Sequence, residues 1–241
     1  MMIAGKTDVG AVRTSNQDSF AIKQLQGDRA YAVVCDGMGG ANGGETASQM
    51  AVEYITKALD EGLRPNMSEK SVHLLFDTAV YNANINIYNK ALNNEELKGM
   101  GTTVVLVYAE NNMVYVAHVG DSRLYLINND VFDQITRDHS VVQEMIENGQ
   151  ITPDEALNHP HKNIITRALG TTQDVFADFN VIEKNHGDIL LLCSDGLSNY
   201  ISKESIADII RNNDFENLPN LLVDAAICGG GRDNITAVVI K

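Results

Sequence analysis

Apolar side chains recur along this chain in two distinct rhythms. Ala47, Met50, Ala51, Tyr54, Ile55, Ala58 and Leu59 fall three or four residues apart, the spacing of one helical face, and predict a helix from about Asn42 to Leu63. Val72, Leu75, Phe76, Ala79, Val80, Ala83 and Ile87 predict a second. Short apolar or alternating runs bounded by Asn, Asp and Gly predict strands at Asp18 to Leu25, Arg29 to Cys35, Thr102 to Ala109, Met113 to Val119, Arg123 to Asn128 and Phe132 to Thr136. The block from Thr102 to Thr136 has the look of an antiparallel meander. A strand pair at Asp174 to Glu183 and Asp188 to Cys193 follows, then short helices around 203–212 and 216–228, and a last strand from Asn234 to Ile240.

Runs of antiparallel strands interrupted by helix pairs predict an α+β fold, a four-layer α-β-β-α sandwich of two antiparallel sheets flanked by helix pairs. Between strands lies the segment 137–170, which carries its own helix signals. Ser140 is placed to cap a helix whose Val141, Val142, Met145 and Ile146 share a face, with Gly149 to end it. Thr152-Pro153-Asp154-Glu155 has the form of a capping box with proline at the first helical position. We expect this segment to form a flap within a single domain spanning residues 1–241, because no linker, low-complexity tract or long like-charge run divides the chain.

Composition narrows the partners. The 241 residues are 44% hydrophobic with only four prolines, which suits a globular fold with a sizeable core. Apolar runs such as Ile189 to Cys193 fall far short of the roughly 20 residues a membrane helix needs, and no signal peptide follows the first methionine. A soluble, cytoplasmic protein is expected. Cys35, Cys193 and Cys228 form neither a disulfide framework nor a zinc ribbon and are expected to be small core residues. The net charge of −14 argues against a nucleic-acid partner, which demands clustered Lys and Arg. It leaves open whether some of the 32 acidic residues gather to hold cations.

Their positions bear on that question. Val33-Val34-Cys35-Asp36-Gly37 is echoed by Leu191-Leu192-Cys193-Ser194-Asp195-Gly196, each an apolar strand ending in Asp-Gly. Val119-Gly120-Asp121-Ser122-Arg123 ends another strand, and Gly231-Arg232-Asp233-Asn234 precedes the last. Asp-Gly alone is a common turn dipeptide. Four such aspartates at the ends of apolar strands favour a shared site. Converging carboxylates repel and need a positive partner. An all-oxygen set without a His/Cys cluster suits Mg²⁺ or Mn²⁺ rather than zinc. Two such ions about 4 Å apart can activate a water and steady an in-line displacement at phosphorus. Arg13, in Val12-Arg13-Thr14-Ser15-Asn16-Gln17-Asp18-Ser19, can fork onto two phosphate oxygens, and Asp18 can reach the metal pair directly or through water.

These residues resemble the metal-dependent protein phosphatases of type 2C, and among them the bacterial stand-alone catalytic domains. Thr7-Asp8-Val9-Gly10, Arg13 to Asp18, Asp36-Gly37-Met38-Gly39-Gly40, Gly101-Thr102-Thr103, Gly120-Asp121-Ser122-Arg123, Asp138-His139-Ser140, Arg167-Ala168-Leu169-Gly170, Ser194-Asp195-Gly196-Leu197 and Gly231-Arg232-Asp233-Asn234 match in order along essentially the whole chain. The resemblance implies a β-sandwich with metals in a channel at one end. It also implies that Asp36 bridges two ions, that Asp195 and Asp233 complete one site, and that the Gly37 carbonyl serves the other, with Asp18 acting there through water. Asp121 with Asp195 would hold a third, weaker ion, and Arg13 would hold the phosphate. The implied activity is hydrolysis of phosphoserine and phosphothreonine by a metal-bridging hydroxide in Mn²⁺ or Mg²⁺.

Two departures stand out. Met38 replaces the histidine that many eukaryotic members have after Asp-Gly, and Ala41 the histidine that bacterial relatives often place just beyond Gly-Gly, so the leaving-group proton must come from elsewhere. The pair His159 and His161 is expected to face solvent in the flap rather than hold metal. Two other functions share these residues: hydrolysis of a small phosphorylated metabolite, and a phosphatase-like regulatory binding module. The expected partners are phosphorylated Ser/Thr proteins, a cognate Ser/Thr kinase among them in a signalling role, acted on by a monomer.

Overall fold

The computed structural model describes residues 1–241, the side chains of Ala41 and Asn42 excepted. In chain order the elements are β1 (Ile3–Asp8), β2 (Asp18–Leu25), β3 (Arg29–Met38), α1 (Gly40–Gly62), α2 (Glu69–Leu92), β4 (Gly101–Thr102), β5 (Val104–Glu110), β6 (Met113–Val119), β7 (Arg123–Ile127) and β8 (Phe132–Gln134). There follow α3 (Val141–Glu147), α4 (Pro153–Leu157), β9 (Asp178–Glu183), β10 (Ile189–Cys193), α5 (Asp195–Ser198), α6 (Lys203–Asn212), α7 (Leu218–Cys228) and β11 (Ile235–Ile240).

One sheet has the order β1-β11-β10-β7-β8 and the other β2-β3-β5-β6-β9, with β4 paired to the end of β3. Neighbours in both run antiparallel. The pleat sorts β3 between two cores. Tyr31, Val33 and Cys35 face α1 and α2, where Ala51, Ile55, Phe76 and Ile87 meet them. Ala32 and Val34 face the opposite sheet, against Leu190, Leu192 and Val238. A third core lies between Leu191, Ala237 and Val239 on the far side and Ile206, Leu222 and Val223 of α6 and α7. The layers are therefore α-β-β-α, as the element order implies. Strands buried on both faces read as continuous apolar runs.

The caps also follow the sequence. Ser140 accepts from the Gln143 N–H at the start of α3. Thr152 and Glu155 form a reciprocal capping box with Pro153 in the first turn of α4.

Three expectations need correction, and one strand was not predicted. The supposed meander is broken: β5 and β6 belong to one sheet and β7 and β8 to the other, and the chain changes sheets at Gly120-Asp121-Ser122. The strands ending at Glu183 and starting near Asp188 are not a pair; β9 joins β6 and β10 joins β7 and β11. Strand β1 went unpredicted because IAGKTD is half-buried throughout and lacks an apolar rhythm. Cys35 and Cys193 are buried, but Cys228, at the end of α7, is exposed. Among the described residues no helix is long and apolar enough to cross a membrane.

Candidate active site

The distant aspartates meet where strands leave the sandwich. Asp36, Asp121, Asp195 and Asp233 line one cavity of about 510 Å³, together with Arg13, Gly37, Met38, Thr103 and Asn234. Asn163 and Ile165 of the 137–170 segment form part of its wall. Asp18 does not line it. It lies behind, opposite Asp36 in the β2–β3 register, where Asp18 Oδ2 accepts hydrogen bonds from Ser194 Oγ and Thr236 Oγ1, both at 2.6 Å. Asp18 thus ties β2 in one sheet to β10 and β11 in the other. Its Oδ1 is buried without a partner among the described residues.

Polar residues around the cavity fix the aspartates from below. The Asp36 N–H donates to Thr103 Oγ1 (2.9 Å) and the Asp36 carbonyl accepts from the Thr103 N–H (2.9 Å). Thr103 Oγ1 also lies 2.7 Å from Ser122 Oγ, so one side chain connects the Asp36 and Asp121 turns. Gly37 must be glycine: a Cβ there would stand 2.0 Å from the Gly44 carbonyl oxygen of α1. Asn234 organises the amino-terminal loop, donating from Nδ2 to the carbonyls of Val9 (3.0 Å) and Ser15 (2.9 Å) and accepting at Oδ1 from the Gln17 N–H (2.8 Å). That loop carries Arg13 to the cavity, where its Nη2 is 2.9 Å from Asp233 Oδ2. Thr103 and Asn234 stand in the motifs Gly101-Thr102-Thr103 and Gly231-Arg232-Asp233-Asn234, but only the fold shows that they fasten the carboxylates and the amino-terminal loop.

Electrostatics follow from the crowding. Burial, then the charges of Asp18, Asp195, Asp121 and Asp233, hold the Asp36 carboxyl well above the usual carboxylate range. Burial pushes Asp18 up to about 7, against the pull of the Ser194 and Thr236 hydroxyls. Asp121 rises to about 7 through burial and Asp195, and Asp195 to about 6 through burial and Asp233. The cavity walls leave Asp36, Asp121 and Asp195 partly open on one side, so the desolvation comes from protein packed on the others. Arg13 is the one cation among the described lining residues, and its own pKa is raised chiefly by its bond to Asp233.

Such a site has surplus negative charge, oxygen donors only, and an orphaned carboxylate oxygen behind it, which fits a hard divalent cation. Among the described residues no three carboxylate, imidazole or thiol groups stand close enough to form a ready-made ligand cage. Small hard cations that keep several waters suit such an arrangement.

The Protein phosphatase 2C family profile matches residues 11–221. The chain belongs to that family. This phosphatase is 38% identical over 243 residues to the protein phosphatase PhpP of Streptococcus pneumoniae, covering 100% of this chain and 97% of that one. It superimposes on the serine/threonine phosphatase Stp1 of Staphylococcus aureus with a TM-score of 0.92 at 34% identity, covering 99% of this chain and 94% of that one. The catalytic domain of the serine/threonine protein phosphatase PstP, solved in complex with two manganese ions, gives a TM-score of 0.84 at 34% identity, with coverage of 99% and 96%.

Other expected residues fall in less definite places. Met38 lines the cavity; the side chain of Ala41 lies outside the described residues. His161 is exposed and His159 half-buried, their rings edge to face at 5.4 Å. His139, which the sequence places in the Asp138-His139-Ser140 motif without a role, and His118, which no motif contains, are a buried pair whose rings lie 4.7 Å apart just behind the Asp121 turn.

Proposed function

We propose that this phosphatase hydrolyses phosphoserine and phosphothreonine in proteins, in a cavity where four aspartates far apart in sequence face one arginine. That convergence carries the proposal. In it, Asp36, Asp195, Asp233 and the Gly37 carbonyl would hold a pair of Mn²⁺ or Mg²⁺ ions, with Asp18 behind them and Asp121 and Asp195 serving a third. Bound ions of this kind make water nucleophilic near neutral pH and neutralise developing charge on phosphoryl oxygens.

The chain's own residues do the rest. Arg13 exchanges Asp233 for the phosphate, presenting a planar fork that matches two phosphate oxygens. Thr103 and Asn234 keep Asp36, Asp233 and the Arg13 loop in register. Met38 lines the cavity and has no proton to give, so the leaving alkoxide takes its proton from another donor. Asn163 and Ile165 reach the cavity from the 137–170 segment, which we read as a flap that meets the substrate beside the phosphate.

The names of the relatives favour phosphoproteins over a small metabolite, and the complete aspartate set argues against a module without chemistry. The proposal extends to a cytoplasmic monomer, one domain over residues 1–241, acting opposite a cognate Ser/Thr kinase. The net charge of −14 argues against a nucleic-acid partner.

The test is hydrolysis of phosphoserine and phosphothreonine peptides in Mn²⁺, run beside a panel of phosphorylated metabolites. Asp36→Asn and Asp233→Asn should each lower turnover by at least about 100-fold. Near-normal rates in both variants, or a preference for metabolites, would overturn the proposal.

A further inference from the structure

The turn that carries Asp121 crosses from one sheet to the other and begins with a residue that has no side chain to anchor it. Gly120 has φ +108, and a Cβ there would stand 2.5 Å from Thr103 Cγ2. Its backbone is held instead by His139. The Gly120 N–H donates to His139 Nδ1 at 3.0 Å, and the Gly120 carbonyl accepts from the His139 N–H at 2.7 Å. On the far side of Asp121, Ser122 Oγ meets Thr103 Oγ1. Both neighbours of Asp121 are thereby pinned.

The first of these bonds determines where the imidazole keeps its proton. Because Nδ1 accepts, a neutral ring carries its hydrogen on Nε2, and Asp178 Oδ2 stands 3.1 Å from Nε2 to receive it. Asp178 Oδ1 in turn accepts from Arg167 Nη1 at 2.6 Å, and the same nitrogen donates to the Phe176 carbonyl at 3.1 Å. The Thr166 N–H donates to the His139 carbonyl at 2.8 Å, and the buried His118 ring packs on that of His139. His139 and Arg167 stand at the two ends of the 137–170 segment, and Asp178 begins β9.

Resting on the phosphatase function given above, we propose that His139 is a positioning residue for Asp121, gripping Gly120 with ring and backbone while Asp178 and Arg167 hold the ring in the tautomer that can accept. This relay couples the neck of the 137–170 segment to the direction of the Asp121 carboxylate. Partners of this kind, one bond removed from a working group, typically change activity by about 10- to 100-fold when lost.

A double-mutant cycle and a spectrum of the metal-free protein test this together. His139→Ala should lower kcat on a phosphopeptide roughly 10- to 100-fold and raise the Mn²⁺ concentration for half-maximal rate. His139→Asn, whose Oδ1 replaces Nδ1 as acceptor, should recover most of the loss. In an Asp121→Ala background, His139→Ala should add less than about twofold, because a group acting through Asp121 has nothing left to act on. In metal-free protein, ¹⁵N long-range correlation should show His139 as the Nε2–H tautomer, with a coupling across the hydrogen bond from the Gly120 amide nitrogen to Nδ1. Additive losses, no rescue by Asn, an Nδ1–H ring, or an Asp121→Ala enzyme as fast as wild type would each overturn the proposal while leaving the phosphatase function intact. Failure of that function itself shows separately, in undiminished rates of Asp36→Asn and Asp233→Asn.

Discussion

Arg13 Nη2 sits 2.9 Å from Asp233 Oδ2, so the one cation among the described residues lining the cavity is engaged by a carboxylate of the same site. Both partners are partly exposed, and the pair is replaceable: phosphate offers the guanidinium two oxygens in place of one. Removing Arg13 should therefore cost substrate and transition-state binding more than fold stability. We expect Arg13→Ala to lower kcat/KM on phosphopeptides by roughly 10- to 100-fold, the worth of about 1.5–3 kcal/mol for hydrogen bonds to charged groups, with little change in Tm. Arg13→Lys should recover less than half of the lost binding energy, because an ammonium has no fork. Steady-state kinetics on the two variants check this; equal rates for lysine and arginine would remove the bidentate role.

Asp36 illustrates the cost of assembling such a site. Its carboxyl is desolvated and surrounded by the charges of Asp18, Asp195, Asp121 and Asp233, so without cations it works against the fold. Asp36→Asn should leave the metal-free protein at least as stable as wild type at pH 8. The variant should also lose most of the stabilisation that Mn²⁺ confers on wild type. At 100 times the dissociation constant that gain is about 2.7 kcal/mol, a Tm rise of roughly 5–10 °C for a chain of this size. Thermal melts with and without Mn²⁺ measure both halves; a wild-type-sized rise in the variant would exclude Asp36 from the ligand set.

Asp18 gives the pH dependence its sign. Its folded pKa, about 7, lies above the ordinary aspartate value because burial penalises its charge. The folded state therefore holds a proton that the unfolded chain releases near pH 4. The stability this contributes is fully present below about pH 4 and is lost as pH rises through about 7. Asp121, at about 7, and Asp195, at about 6, act in the same direction. His118, pushed down to about 3 by burial and by His139, acts in the opposite direction between pH 3 and 6.5. Comparison with Asp18→Asn cancels the groups that do not interact with Asp18, and leaves Asp18 together with the charge it places on Asp36. In metal-free protein, the Tm of wild type relative to Asp18→Asn should fall steadily from pH 4 to pH 7 and then level. A flat difference curve would mean that Asp18 is ionised throughout.

The pattern of apolar residues was enough for the helices but not for the sheets. Ala51, Ile55 and Leu59, or Val72, Phe76 and Ile87, recur at helical spacing because each helix buries one face only. Strands such as β5 and β10 are buried on both faces, so their runs carry no alternation and no hint of which neighbour they pair with. The sheet change at Asp121 was hidden for that reason. The aspartates themselves were legible because each interrupts an apolar strand. Their supports were not: Ser194, Thr236, Thr103 and Asn234 are ordinary polar residues until the two sheets pack and bring Asp18 within 2.6 Å of two hydroxyls. His118 was invisible for a related reason, as a lone histidine in a strand gives no sign of the ring it will stack against.

Asn84 shows how a buried amide can hold the exit of the 137–170 segment. It lies on the inner face of α2, fully buried. Its Oδ1 accepts from the Gly170 N–H at 2.7 Å, and its Nδ2 donates to the carbonyls of Thr172 (3.1 Å) and Gln173 (2.9 Å). The chain there is turning from the cavity wall toward β9, and no sheet satisfies these backbone groups. Asn84→Ala would strand the buried Gly170 N–H, at about 1–3 kcal/mol, and take a donor from the carbonyls of the exposed Thr172 and Gln173, at about 0.5–1.5 kcal/mol for each lost bond. We expect a total loss of roughly 2–5 kcal/mol. Asn86, two residues on, donates only to the Asn82 carbonyl of its own helix. Asn86→Ala should be near neutral, because alanine is the better helix former. Denaturant melts of the two variants make the comparison. Equal losses would show that α2 tolerates the amide for its propensity alone and that the loop after Gly170 is held by something other than Asn84.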